Sequence, residues 1–216
     1  MRPREMTSSC ASLRFCAAVA LLLASCFGPV RAAPVDPKDW PCQQRLVPML
    51  GAGAFWTTPP VDNAGDWKAE PRVADLVERI APRRVSADEG VAAIVEFGAS
   101  LGTTPDKDRL LTLAFAGLLE ETNRDRSDVI SRLMDLGRRQ HDLANIASQA
   151  GQELRALPAE SRTPEERARR SDLEQRFAFV TQAFESAQRT MRYACEVPVT
   201  LEARLGRYAQ ALKAQL

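Results

Sequence analysis

Two long stripes of apolar positions dominate the chain, one running from Pro105 to Leu157 and the other from Pro164 to Leu216. The first reads Leu111, Phe115, Leu118, Thr122, Asp125, Val129, Leu133, Leu136, Gln140, Leu143, Ala147, Ala150, Leu154 and Leu157. The second reads Leu173, Phe177, Val180, Phe184, Ala187, Met191, Ala194, Pro198, Leu201, Leu205, Tyr208 and Leu212. Steps of three and four alternate, the spacing of helices that lay a narrow seam against a partner. One extra four-step, Val129 to Leu133, is a stutter that relaxes the supercoil locally. A short link, Leu157 to Thr163, joins the two stretches and predicts an antiparallel helical hairpin. Folding about that link is expected to set Phe184 over Gly137, a large side chain over a small one. The same register brings Cys195 near Asp125 and Arg126. Pro198 falls inside the second repeat, where it predicts a kink and leaves the Ala194 carbonyl without its usual donor.

Shorter elements precede the hairpin. Pro71 opens a helix over about 71–81, with Val73, Leu76, Val77 and Ile80 on one face, and Pro82 ends it. Ser86-Ala87-Asp88-Glu89 is a capping box that starts a second helix over about 87–101, closed by Gly102. Thr104-Pro105 and Thr163-Pro164 offer a cap and a first-position proline to long helices over about 105–157 and 164–216. The run from Leu110 to Leu119 is apolar over more than one stripe, so it must be covered on several sides. The two short helices are therefore expected to pack there, making a four-helix base from which a two-helix arm projects. The fold class is all-α: a long antiparallel, coiled-coil-like hairpin, two short helices at its base and an irregular strap over residues 33–68. That strap carries Trp40, Phe55, Trp56 and Trp67. A segment this long without regular structure is expected to be tied down, by its aromatic rings and by Cys42.

The N-terminus changes the picture, because it reads as an address. Arg2, Arg4 and Arg14 precede an apolar core from Phe15 to Ser25, and Val30-Arg31-Ala32 fits a signal-peptidase site, so residues 1–32 are expected to be an export signal. The apolar stretch is too short for a membrane span. Leu23-Ala24-Ser25-Cys26 also fits a lipoprotein cleavage box, which would acylate Cys26 and tether the chain in the envelope. Either route places the mature protein in the periplasm or outside the cell. Cys10 and Cys16 leave with the signal, and Cys42 and Cys195 are then expected to form a disulfide in an oxidising compartment. The full chain carries 29 Lys and Arg against 28 Asp and Glu. Loss of Arg2, Arg4, Arg14, Arg31 and Glu5 with the signal tips the mature balance slightly negative, which argues against nucleic acid as a partner.

Candidate chemistry is sparse. His141 is the lone histidine, with no second one at metal spacing, and no nucleophile elbow or phosphate loop is present. No cofactor, metal centre or enzymatic activity is expected. The polar run from Glu120 to Arg126 interrupts the first stripe, and the facing helix offers Arg192, Tyr193 and Glu196. With Trp40 brought in by the disulfide, the residues Trp40, Glu121, Asn123, Arg124, Arg192, Tyr193 and Glu196 form a candidate mid-hairpin binding cluster. Polar seam residues also serve simply to set helix register. The expected function is that of an exported, non-enzymatic interaction or scaffold protein that presents its hairpin to an envelope partner or to a second copy. The alternative is a binding protein for a small polar ligand or a metal at the mid-hairpin cluster.

Overall fold

The computed structural model describes residues 39–57, 59–61, 64–158, 160 and 163–216. The expected export signal, including Cys26, lies outside the described residues. Five helices carry the fold: α1 (Pro71–Ile80), α2 (Ala87–Leu101), α3 (Lys107–Ala156), α4 (Pro164–Ala194) and α5 (Glu196–Lys213). There is no strand among the described residues. The all-α hairpin with two short helices at its base is therefore the architecture of the chain.

Local chemistry sets the helix starts. Pro71 occupies the first turn of α1, and Val73, Leu76, Val77 and Ile80 are all buried on its one apolar face. Ser86 and Glu89 complete the capping box of α2, and Thr163 and Glu166 make a second one at the start of α4. The start of α3 differs from expectation. Its cap is Asp106, with no side-chain bond, and the Thr104 hydroxyl donates instead to the Leu101 carbonyl at 2.7 Å. Gly102, at φ 56°, closes α2 in a conformation suited to glycine, and Thr104 belongs to that closure. The second long stripe divides into α4 and α5 at Cys195, whose dihedrals stay helical. The irregularity thus falls beside Pro198, where the kink is expected, and does not end the helix. Pro198 has no amide hydrogen to give the Ala194 carbonyl, so the ladder fails one turn before the proline.

The base holds the main core. Leu110, Leu111, Leu113, Ala114, Phe115 and Leu118 of α3 pack with α1, α2 and the Leu205, Tyr208 and Leu212 face of α5. Trp56 and Trp67 of the strap enter the same cluster, with Trp56 stacked on Phe115 at 5.0 Å between ring centroids. A smaller cluster follows along the hairpin, formed by Val129, Leu133, Met191 and Leu201 with Trp40, Cys42 and Cys195 packed against it. Beyond it α3 and α4 have mainly each other: Ala150, Leu173 and Val180 are the buried hydrophobics of the arm.

The space at Gly137 is filled differently from expectation. A Cβ added to Gly137 would sit 2.8 Å from the Asp39 carbonyl oxygen and 3.3 Å from Pro41, so the strap lies over Gly137, not Phe184. The large-over-small match falls further out, where the ring of Phe177 would lie 3.3 Å from a Cβ on Gly151. Asp125, expected in the seam, is half buried, and its neighbour Arg126 is the buried residue at 3 % exposure.

Candidate functional site

The polar run that interrupts the first apolar stripe is a track for the strap. Glu120, Asn123 and Arg126 recur at three-residue steps on α3, so they lie along one side of it. Glu120 accepts from the Trp67 indole at 2.9 Å and from the Lys68 ammonium at 2.6 Å. Those two donors hold its carboxyl below the ordinary carboxylate range, the Lys68 hydrogen bond contributing most, and Glu120 in turn raises Lys68. The Asn123 side chain accepts from the Leu50 amide at 2.8 Å and donates to the Leu50 carbonyl at 3.0 Å. Arg126 donates to the carbonyls of Val47 at 2.8 Å and Pro198 at 2.6 Å, with Glu202 3.9 Å away. Burial pushes its pKa down, and Glu202 opposes that. Gly117 gives room for the Trp67 ring, and Arg138 pairs with Asp39 at 3.6 Å near the far end of the track.

The disulfide fixes the strap to the other helix. Cys42 and Cys195 are bonded, with Cα atoms 5.6 Å apart, as the pairing of the two mature cysteines predicts. Gln44 donates to the Cys195 carbonyl, and the Trp40 indole donates to the Gln44 carbonyl at 2.6 Å. Trp40 is thus half-buried packing against the second cluster.

The expected mid-hairpin cluster therefore does not converge on one place. Glu121 and Arg124 pair with each other and line a cleft of about 340 Å³ with Trp67 and Lys68. Asn123 is committed to the strap. Arg192 and Glu196 line a second cleft of about 700 Å³ beside the disulfide. Tyr193, 72 % exposed, and Glu196 line a third of about 580 Å³, together with Arg83, Ser86 and Arg207. These last two clefts are adjacent, since Glu196 and Thr200 line both.

Two further residues escaped the sequence reading. Arg204, 9 % exposed, donates to the carbonyls of Ala81, Pro82 and Val85 and so closes the C-terminal end of α1. It stands beside the second apolar stripe, one position before Leu205, where an arginine reads as a solvated flank. Phe179, 73 % exposed on α4, lies between the stripe positions Phe177 and Val180, outside the stripe itself. Among the described residues no group of three His, Cys, Asp or Glu side chains could hold a metal ion, and no helix is long and apolar enough to cross a membrane. Compared with known proteins, the chain matches no family model, no curated protein and no solved structure.

Proposed function

We propose that the chain is an exported interaction protein that presents its helical hairpin to a protein partner in the cell envelope. The observation that supports this reading is the surface of α4. Of the 31 residues in that helix only Leu173, Val180 and Met191 are buried. Phe179 and Tyr193 remain largely exposed along it, at 73 % and 72 %. Large aromatic side chains left in water forgo about 1.5–3 kcal/mol each of burial, and such residues are enriched at the anchoring positions of interfaces. The disulfide fits an oxidising compartment.

The test is a photo-crosslinking side chain placed in turn at positions 179 and 193 of the full chain, in cells. A discrete adduct with another protein is expected from at least one of them, and none from position 96, on an exposed face of α2. Phe179→Ala and Tyr193→Ala should lose the partner while keeping the melting temperature within a few degrees, because neither side chain is buried. Adducts only between copies of the chain would make the partner a second copy. No adduct from either position would reject the reading.

A second reading, binding of a small polar ligand, has one observation in its favour. The cleft of about 700 Å³ beside the disulfide falls in the size range of ligand sites, about 300–1,000 Å³, and is rich in uncharged polar side chains. The absence of a three-ligand cluster among the described residues gives a metal no such support.

A further inference from the structure

We infer that the cleft beside the disulfide is a clamp for the backbone of an extended peptide segment supplied by the partner protein. The inference rests on the interaction reading and adds to it a place and a mode of recognition. Four glutamines line this cleft, and Gln44 is committed to the Cys195 carbonyl. The other three come from three different elements: Gln43 from the strap, Gln140 from α3 and Gln188 from α4. None of the three makes a side-chain hydrogen bond within the described residues, and Arg192 and Glu196 at the same cleft form no ion pair there.

The chemistry of that set is selective. A glutamine carries both donors and an acceptor, so three of them present matched numbers of each. An anion site would collect arginines and lysines, and a cation site would collect carboxylates. Here one Arg and one Glu offset each other. A peptide backbone asks for this balance, because each non-proline residue brings one N–H and one C=O. The molecule already recognises its own strap in this way. Asn123 takes both polar groups of Leu50, at 2.8 and 3.0 Å, and Gln44 donates to the Cys195 carbonyl. Met191, 5 % exposed, and the disulfide add apolar surface that suits small or apolar side chains of the segment. Among the described residues no aromatic ring lines the cleft to stack on a sugar face, so a saccharide fits it less well.

The test is an NMR titration of the full mature chain, disulfide intact, with a capped alanine- and glycine-rich pentapeptide at millimolar concentration. The side-chain amide signals of Gln43, Gln140 and Gln188 are expected to shift together. The same peptide with its amide nitrogens methylated should bind at least about tenfold more weakly, since the donors of its backbone are gone. The Gln140→Leu, Gln188→Leu double variant should lose binding to a similar degree at an unchanged melting temperature. Equal binding of the methylated peptide would overturn the clamp, as would maltotriose shifting these signals where the peptide does not. So would no response from any of the three glutamines. Crosslinking at position 179, which lines neither this cleft nor its neighbour, reads a different surface. A failed titration beside a retained crosslink therefore overturns the clamp alone, whereas loss of the crosslink overturns the interaction reading beneath it.

Discussion

At the scale of single residues, neighbours on one helix do opposite work. Asn123 and Arg124 are adjacent in the chain, yet the first holds Leu50 through two hydrogen bonds and the second pairs with Glu121 at the surface. Asn123→Ala would leave two backbone groups of the strap without their partner and should cost about 1–3 kcal/mol in urea unfolding. Arg124→Ala should stay within about 0.5 kcal/mol, as exposed ion pairs contribute little. Equal effects of the two would contradict the geometry. Glu120 gives a pH-dependent counterpart. Its carboxyl is depressed from 4.5 by Lys68 and Trp67, so the contribution it makes to stability is present above its unfolded value. That contribution is lost as pH falls through the lower, folded value. Trp67 fluorescence followed through acid titration should report its indole leaving Glu120 in this window. In Glu120→Gln the acid-dependent step should disappear, and its persistence would assign it to another carboxylate.

At the scale of elements, the strap is the part of the molecule with the least regular structure and the densest set of tethers. It lies along α3 from Gly137 at one end to Gly117 at the other, with Asn123 and Arg126 between. The Cys42–Cys195 bond spans 153 residues of sequence, for which loop entropy alone gives on the order of 5 kcal/mol. Reduction should lower the melting temperature by less than that figure implies, because the polar contacts to α3 still restrain the strap. Limited proteolysis of the reduced protein should cut first near Gln43, whose side chain is exposed, and leave the Leu50 region protected. Gly137→Ala tests the same element from the other side. Its Cβ would meet a backbone oxygen at 2.8 Å, which a side-chain rotation cannot relieve, and overpacking of this kind costs about 1–3 kcal/mol. Gly51→Ala is the control, since nothing lies within 4 Å of the added atom.

At the scale of the whole molecule, stability is unevenly distributed along the hairpin. The base buries side chains from four helices and the strap, whereas the arm is held mainly along one seam by Ala150, Leu173 and Val180. Hydrogen exchange should therefore be slowest in α1, the first turns of α3 and the Leu205 to Leu212 face of α5. It should be faster in α3 beyond Gly137 and in the matching half of α4, where local opening breaks few contacts. Uniform protection along α3 would show that something further covers the arm. At 1.5 Å per residue the 50-residue α3 extends about 75 Å, so an arm with its own opening equilibrium reaches well beyond the base.

The elements of this protein were legible in its sequence because their causes are local. Periodicity placed the buried faces of α1 and both long helices, and the Ser86 and Thr163 capping boxes marked two starts. The expectation of an export signal left Cys42 and Cys195 as the one pair, and they are bonded. The assignment of polar residues was not legible in the same way. Asn123, Arg126 and Arg204 answer to backbone carbonyls and amides 72 to 123 positions away in sequence, and backbone groups carry no side-chain signature. A run that reads as a candidate site thus became the track of the strap. The occupant of the space at Gly137 escaped the reading for a related reason. Gly137 looked like room for a ring on the facing helix, but an irregular segment, which has no period to read, took the space first. What the sequence determined by itself was which residues form helices and which faces they bury, since those depend on neighbours within a turn or two. What only the tertiary structure decided was which surface each polar group meets, because that depends on how separate elements come together in space.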